Sequence, residues 1–171
     1  MVDFEEFATA RLPALMRHAL VLTGDRVLAE DVVQEVLVRA HAKWGRIGVM
    51  DQPEAYLRKM IVNEFLSWRR RFARVTPSDQ VEVPQSDRPD HATAHADREA
   101  LRAELARLPR QQRAVLVLRY YEGLTDAEIA ETLGCAPGTV RGYAARALAT
   151  LRIEAGRPAT ASLNELAGGS R

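Results

Sequence analysis

The residues of this sequence whose types and spacing suggest chemistry are groups that bind rather than groups that react. Lys59, Asn63, Ser67 and Arg70 recur at helical steps, which would line them along one side of a helix. Leu57, Met60, Ile61, Phe65 and Trp68 fall on the other side, so the polar stripe faces outward. Arg69, Arg70, Arg71 and Arg74 follow with Phe72 among them, a mixture suited to phosphates and to unstacked bases. The same arginines would also suit the negative end of a helix dipole. Further along, Ala136 to Arg152 holds three arginines and no acid, the charge distribution of a surface that meets phosphates. Glu30, Asp31, Gln34 and Glu35 gather on one helical flank, as either a solvated face or a docking surface. No phosphate-binding glycine loop ending in Lys-Ser or Lys-Thr and no GxSxG elbow is present. His91 and His95 have helical metal-ligand spacing but lie in a Pro-rich stretch without a third ligand. The sequence therefore predicts no catalytic residue, no metal, no cofactor and no small-molecule substrate.

The elements that must hold these groups read as helices. Phe4, Phe7, Ala8, Leu12, Leu15, Met16, Ala19 and Leu20 form one amphipathic pattern that Gly24 ends, with Pro13 predicted to bend it or mark a restart. Asp25 is a candidate N-cap for a second helix from Val27 to Trp44, with Ala29, Val32, Val33, Val36, Leu37 and Ala40 inward. Gly45, Gly48, Asp51 and Pro53 mark a loop, and Pro53 suits the first turn of a third helix reaching about Phe72.

From Thr76 to about His95 the composition changes to Pro, Asp, Ser and Gln, with Asp79, Glu82, Asp87 and Asp90 against Arg88 alone. This reads as an acidic linker. A helix resumes near Ala94 with Leu101, Leu105 and Leu108 inward. Pro109 can occupy the first turn of the next helix and Gly123 can end it. Thr125-Asp126-Ala127-Glu128 fits a capping box, Gly134 stops the short helix that follows, and Pro137 can open another with Val140, Ala144, Ala147, Leu148 and Leu151 on one face. That face would pack on Ile129, Ala130 and Leu133. A short helix, a tight turn with Gly and a second helix with a basic flank is the helix-turn-helix plan, although a plain three-helix bundle shares its punctuation. The tail beyond Arg152 has only Leu163 and Leu166 as anchors and is expected to fray.

The chain has 171 residues and a net charge of +1, so the distribution of charge says more than its sum. Its single cysteine excludes internal disulfides and makes a reducing cytoplasm the expected compartment. No apolar run is long enough for a membrane span, and MVDFEEF is acidic where a signal peptide would be basic.

AEDVVQEVLVRAHAKW, PEAYLRKMIVNEFLSWRRR and LPRQQRAVLVLRYYEGLTDAEIAETLGCAPGTVRGYAARALATLR resemble regions two and four of extracytoplasmic-function (ECF) sigma factors. NEFLSWRRR is similar to the actinobacterial branch often labelled the SigE family. The resemblance implies an all-α protein: a region 2 bundle over 1–75, a flexible acidic linker over 76–95, a region 4 helix-turn-helix over 96–153 and a tail over 154–171. It implies core RNA polymerase and promoter DNA as partners, and in many relatives an anti-sigma factor. Asp31, Gln34 and Glu35 match the D-x-x-Q-E positions that grip the clamp helices of the β′ subunit, while region four meets the flap of the β subunit. Asn63 matches the asparagine beside which the family reads a flipped base of the minus-10 element, with Lys59, Ser67, Arg70 and Arg71 around it. Thr139, Arg141, Gly142, Ala145 and Arg146 occupy the recognition-helix positions facing the minus-35 element, and Arg119 is a candidate phosphate contact. Gly142 and Ala145 stand where other members often carry a hydroxyl or a larger side chain, so readout would lean on Arg141, Arg146, phosphates and DNA shape. The competing readings are a stand-alone helix-turn-helix regulator and a helical adaptor that binds only protein.

Overall fold

Capping residues set the frame of the chain. In the computed structural model, which describes residues 2–73 and 93–155 and the side chains of 2–67 and 98–151, every regular element is helical. Helix α1 (Phe4–Thr23) begins at Asp3, whose carboxylate accepts from the Glu5 N–H, and ends at Gly24 in the left-handed region with φ 69°. Asp25 then accepts from the Leu28 N–H at 2.7 Å and starts α2 (Arg26–Ala42). Pro13 marks no restart, and α1 runs through it without a break. Both Pro13 and Thr9 are exposed, so water can meet the carbonyl that proline leaves without an amide partner. Leu12, expected inside, is exposed.

The second helix stops short of the predicted Trp44, which instead opens a one-turn helix α3 (Trp44–Ile47) inside the expected loop. Trp44 and Ile47 are buried. The Trp44 indole N–H donates to the Val2 carbonyl at 2.9 Å, and its ring meets those of Phe4 and Phe7 at 5.2 and 4.8 Å. Gly48 fits closely here: a Cβ would stand 3.0 Å from the Trp44 indole and 3.1 Å from its carbonyl oxygen, so the indole would have to give by a few tenths of an ångström. Helix α4 (Pro53–Ala73) packs on α1 and α2, so that Leu15, Ala19 and Leu22 meet the inner faces made by Ala29, Val32, Val36 and by Leu57, Ile61, Phe65.

The chain divides into two compact units, Met1–Ser86 and Asp87–Arg171. In the second, α5 (Thr93–Arg107) buries Leu105 and is followed by buried Leu108. Pro109 is the residue preceding α6 (Arg110–Leu116), with ψ 141°, rather than part of its first turn. Arg113 is buried and donates from Nη2 to the Leu108 carbonyl at 3.1 Å and to the Ala106 carbonyl at 2.5 Å, satisfying the end of α5. Burial first, then the Arg110 charge, lowers its pKa to about 10.

The predicted helix up to Gly123 is not uniform. Val117–Tyr121 widens into a π-helical turn, closed by the Glu122 N–H on the Val117 carbonyl at 3.1 Å. Helix α7 (Asp126–Leu133) starts with the expected capping box: the Thr125 N–H donates to Glu128 Oε2 at 2.8 Å and the Glu128 N–H to Thr125 Oγ1 at 3.3 Å. Gly134, at φ 65°, stops it, and both its N–H and that of Cys135 donate to the Ala130 carbonyl. Helix α8 (Pro137–Ala155) buries Val140, Ala144, Ala147 and Leu151 against α6 and α7, where Ile129 and Ala130 are buried and Leu133 is partly so. The expected tail beyond Ala155, most of the linker, and His91 lie outside the described residues, as does the His95 side chain.

Candidate polymerase and promoter interfaces

In the first unit the outer flank of α2 carries the acidic cluster. Asp31 and Gln34 are exposed, and Glu35 is half-exposed with Arg39 Nε 3.2 Å from its Oε1. Beside Gln34 lies an apolar groove of about 710 Å³ between α1 and α2, lined by Phe4, Leu12, Met16, Leu37 and Val38 among others. Leu12, at odds with the sequence pattern, faces outward onto this groove.

On α4 the burial pattern separates two sides. Leu57, Ile61, Val62, Glu64 and Phe65 are buried, whereas Asn63 is exposed and Lys59 and Ser67 are half-exposed. The Ser67 hydroxyl donates to the Glu64 carbonyl at 3.1 Å, so its proton is engaged and its oxygen is what it offers outward. Arg70 and Arg71 belong to the last turns of α4, and their side chains lie outside the described residues.

In the second unit Thr139, Arg141, Ala145 and Arg146 are exposed on α8 and Gly142 is half-exposed, all on the side away from its buried face. Arg146 lies over the Tyr143 ring at 5.3 Å, and the Tyr143 hydroxyl donates to Gln111 of α6. The second helix of the motif is thereby tied to α6 at its middle. Arg119, in the π-helical turn, pairs with Asp126 at the start of α7. It is half-buried there, and any phosphate would share it with that carboxylate.

Two family models match the chain: Sigma-70 region 2 over residues 7–75 and Sigma-70, region 4 over residues 98–151. The RNA polymerase sigma-E factor of Streptomyces coelicolor is 38% identical over 155 residues, covering 90% of this chain and 86% of that protein. The ECF RNA polymerase sigma factor SigL of Mycobacterium tuberculosis is 44% identical over 142 residues, covering 78% and 80%. This chain belongs to the ECF sigma factors.

As a sigma factor it acts with core RNA polymerase in promoter-specific initiation of transcription, which sets aside the stand-alone regulator. Among solved structures the sigma factor RpoE, in complex with the anti-sigma factor NepR from Bartonella quintana, superposes with a TM-score of 0.65 at 26% identity, over 91% of this sigma factor and 99% of that chain. Every candidate residue of α2 and α4 lies inside the region 2 match, and those of the second unit lie inside the region 4 match. Among the described residues no helix is long and apolar enough to cross a membrane, and no group of His, Cys, Asp or Glu could hold a metal ion.

Sequence reasoning missed the pairing of Arg39 with buried Glu64, the Tyr143–Gln111 bond and the burial of His18 and Arg113. Arg39 and Glu64 stand 25 residues apart, where no helical period relates them. A buried histidine on an apolar helix face carries no signal that distinguishes it from an exposed one.

Proposed function

We propose that the α2 flank of Asp31, Gln34 and Glu35 docks on the clamp helices of the polymerase β′ subunit, and that the apolar groove beside Gln34 extends this surface. Lys59, Asn63 and Ser67, continued by Arg70 and Arg71, capture the melted minus-10 strand. Thr139, Arg141, Gly142, Ala145 and Arg146 read the minus-35 duplex, Arg119 adds a shared phosphate contact, and the second unit meets the flap of the β subunit. The factor works in the cytoplasm, and the likeness to RpoE held by NepR supports an anti-sigma partner for this chain too.

The observation that carries this reading is the exposure of Asn63 between buried Val62 and buried Glu64. An amide on the outward side of a helix can hydrogen-bond the edge of an extruded base, while neighbouring cations hold the strand. Such contacts offset the few kcal/mol needed to unpair a base, so opening needs no reacting group. The test is a permanganate footprint of the open complex, on a promoter selected by in vitro transcription from a library. Asn63→Ala is expected to lower minus-10 reactivity by about tenfold or more, the loss of roughly 1.4 kcal/mol or more of base contact, with folding and core affinity unchanged. Wild-type reactivity from the folded, polymerase-bound variant would refute base capture at this position.

A further inference from the structure

Glu64 is 3% exposed and sits one residue from outward-facing Asn63 on α4, in the same turn as buried Ile61 and Phe65. A carboxylate in an apolar seam needs a partner held in a fixed place. Arg39 of α2 supplies it: Nη2 pairs with Glu64 Oε2, while Nε stands 3.2 Å from Glu35 Oε1. One guanidinium is therefore held by carboxylates on two helices, at the inner side of α4 and on the α2 flank that carries Asp31 and Gln34. The Glu64 carbonyl is engaged as well, by the Ser67 hydroxyl.

We propose that Arg39 is a positioning residue that fixes the rotation of α4 about its own axis and so aims Asn63 at the minus-10 strand. The contacts of Leu57, Ile61 and Phe65 are apolar and non-directional, so by themselves they tolerate a small roll of the helix. A planar guanidinium bonded to a buried carboxylate is directional and does not. Because Glu64 and Asn63 are sequence neighbours, a roll that breaks the pair also turns Asn63 away. This rests on the reading of Asn63 given above.

The test compares variants by melting temperature, affinity for core polymerase and permanganate reactivity at the minus-10 element. Replacing both partners with apolar residues, Arg39→Met with Glu64→Met, removes the buried carboxylate together with its part-exposed cation, so that no charge is left buried without its partner. The double variant is expected to melt within a few degrees of wild type, to bind core within about threefold and to lose about tenfold or more of its reactivity. Arg39→Lys keeps one charge beside Glu64 without the fork, and is expected to lose about threefold. If the double variant is folded and core-bound with wild-type reactivity while Asn63→Ala is impaired, the positioning role is wrong and base capture stands. If the double variant does not fold, the same result from Arg39→Lys overturns the role. A loss that merely follows core affinity also overturns it, since Arg39 would then serve docking. Should Asn63→Ala itself keep wild-type reactivity, base capture falls and the positioning role falls with it.

Discussion

Gly142 shows how a single residue can be separated from the fold that carries it. A Cβ at this position would meet only Arg146 Nη2, at 3.7 Å, which is ordinary contact, and its backbone is not in the left-handed region. Nothing inside the protein asks for glycine, yet glycine within a helix costs roughly 1 kcal/mol relative to alanine. On the proposed reading of α8, the glycine serves close approach of the helix backbone to duplex DNA; the alternative is a tolerated weakness. Gly142→Ala is expected to stabilise the second unit by about 0.5–1 kcal/mol in chemical denaturation. It should also weaken binding of the holoenzyme to the upstream duplex by several-fold in a competition assay. Raised stability with unchanged duplex affinity would show the glycine to be a tolerated weakness. At this scale the outward residues were legible because helical periodicity alone sorts Asn63, Arg141 and Arg146 from Ile61, Val140 and Ala147. Arg39 with Glu64 was not legible, because that contact depends on how two helices meet.

At the scale of elements, local chemistry decided how much could be read. Asp25, Thr125 with Glu128, Gly24 and Gly134 act on backbone groups within a few residues, and all four do what their positions in the sequence require. Helix α3 was hidden because a single turn is too short to show a period, and the π-helical turn because VLRYY has an ordinary helical composition. The capping box also makes a prediction about pH. The Thr125 N–H, and after it the Thr125 hydroxyl, hold the Glu128 carboxyl below its ordinary value of 4.5. A carboxylate whose pKa is depressed by folding contributes stability above its unfolded pKa and loses it as pH falls through the folded one. Glu128→Gln keeps an acceptor at the box but not the charge. Its melting temperature should lie below that of wild type at neutral pH, and the gap should begin to close below pH 4.5 and vanish in stronger acid. A gap that is constant with pH would mean that the charged box adds nothing beyond its hydrogen bonds.

For the whole molecule the governing fact is that each unit closes its own core. Helices α1 to α4 pack among themselves, as do α6 to α8, and the division between Ser86 and Asp87 falls inside the acidic stretch that the sequence marks as a linker. Units of this size are small but can fold alone when their apolar faces are covered, as those of Leu22, Val36 and Phe65 are in the first. The flank proposed to dock on polymerase and the stripe proposed to capture the strand both belong to residues 1–86, and the helix proposed to read the duplex belongs to 87–171. A fragment of residues 1–86 should therefore melt cooperatively and displace the labelled full-length factor from core polymerase. It should be weaker than the full chain, because joining two contacts makes the second intramolecular and raises avidity by about 10²–10⁴. For the same reason the two fragments mixed but unlinked should direct far less transcription than the continuous chain at equal concentration. Failure of fragment 1–86 to melt cooperatively would mean that its core depends on the other half. A folded fragment that does not displace the factor would mean that Asp31, Gln34 and Glu35 are not the principal hold on polymerase.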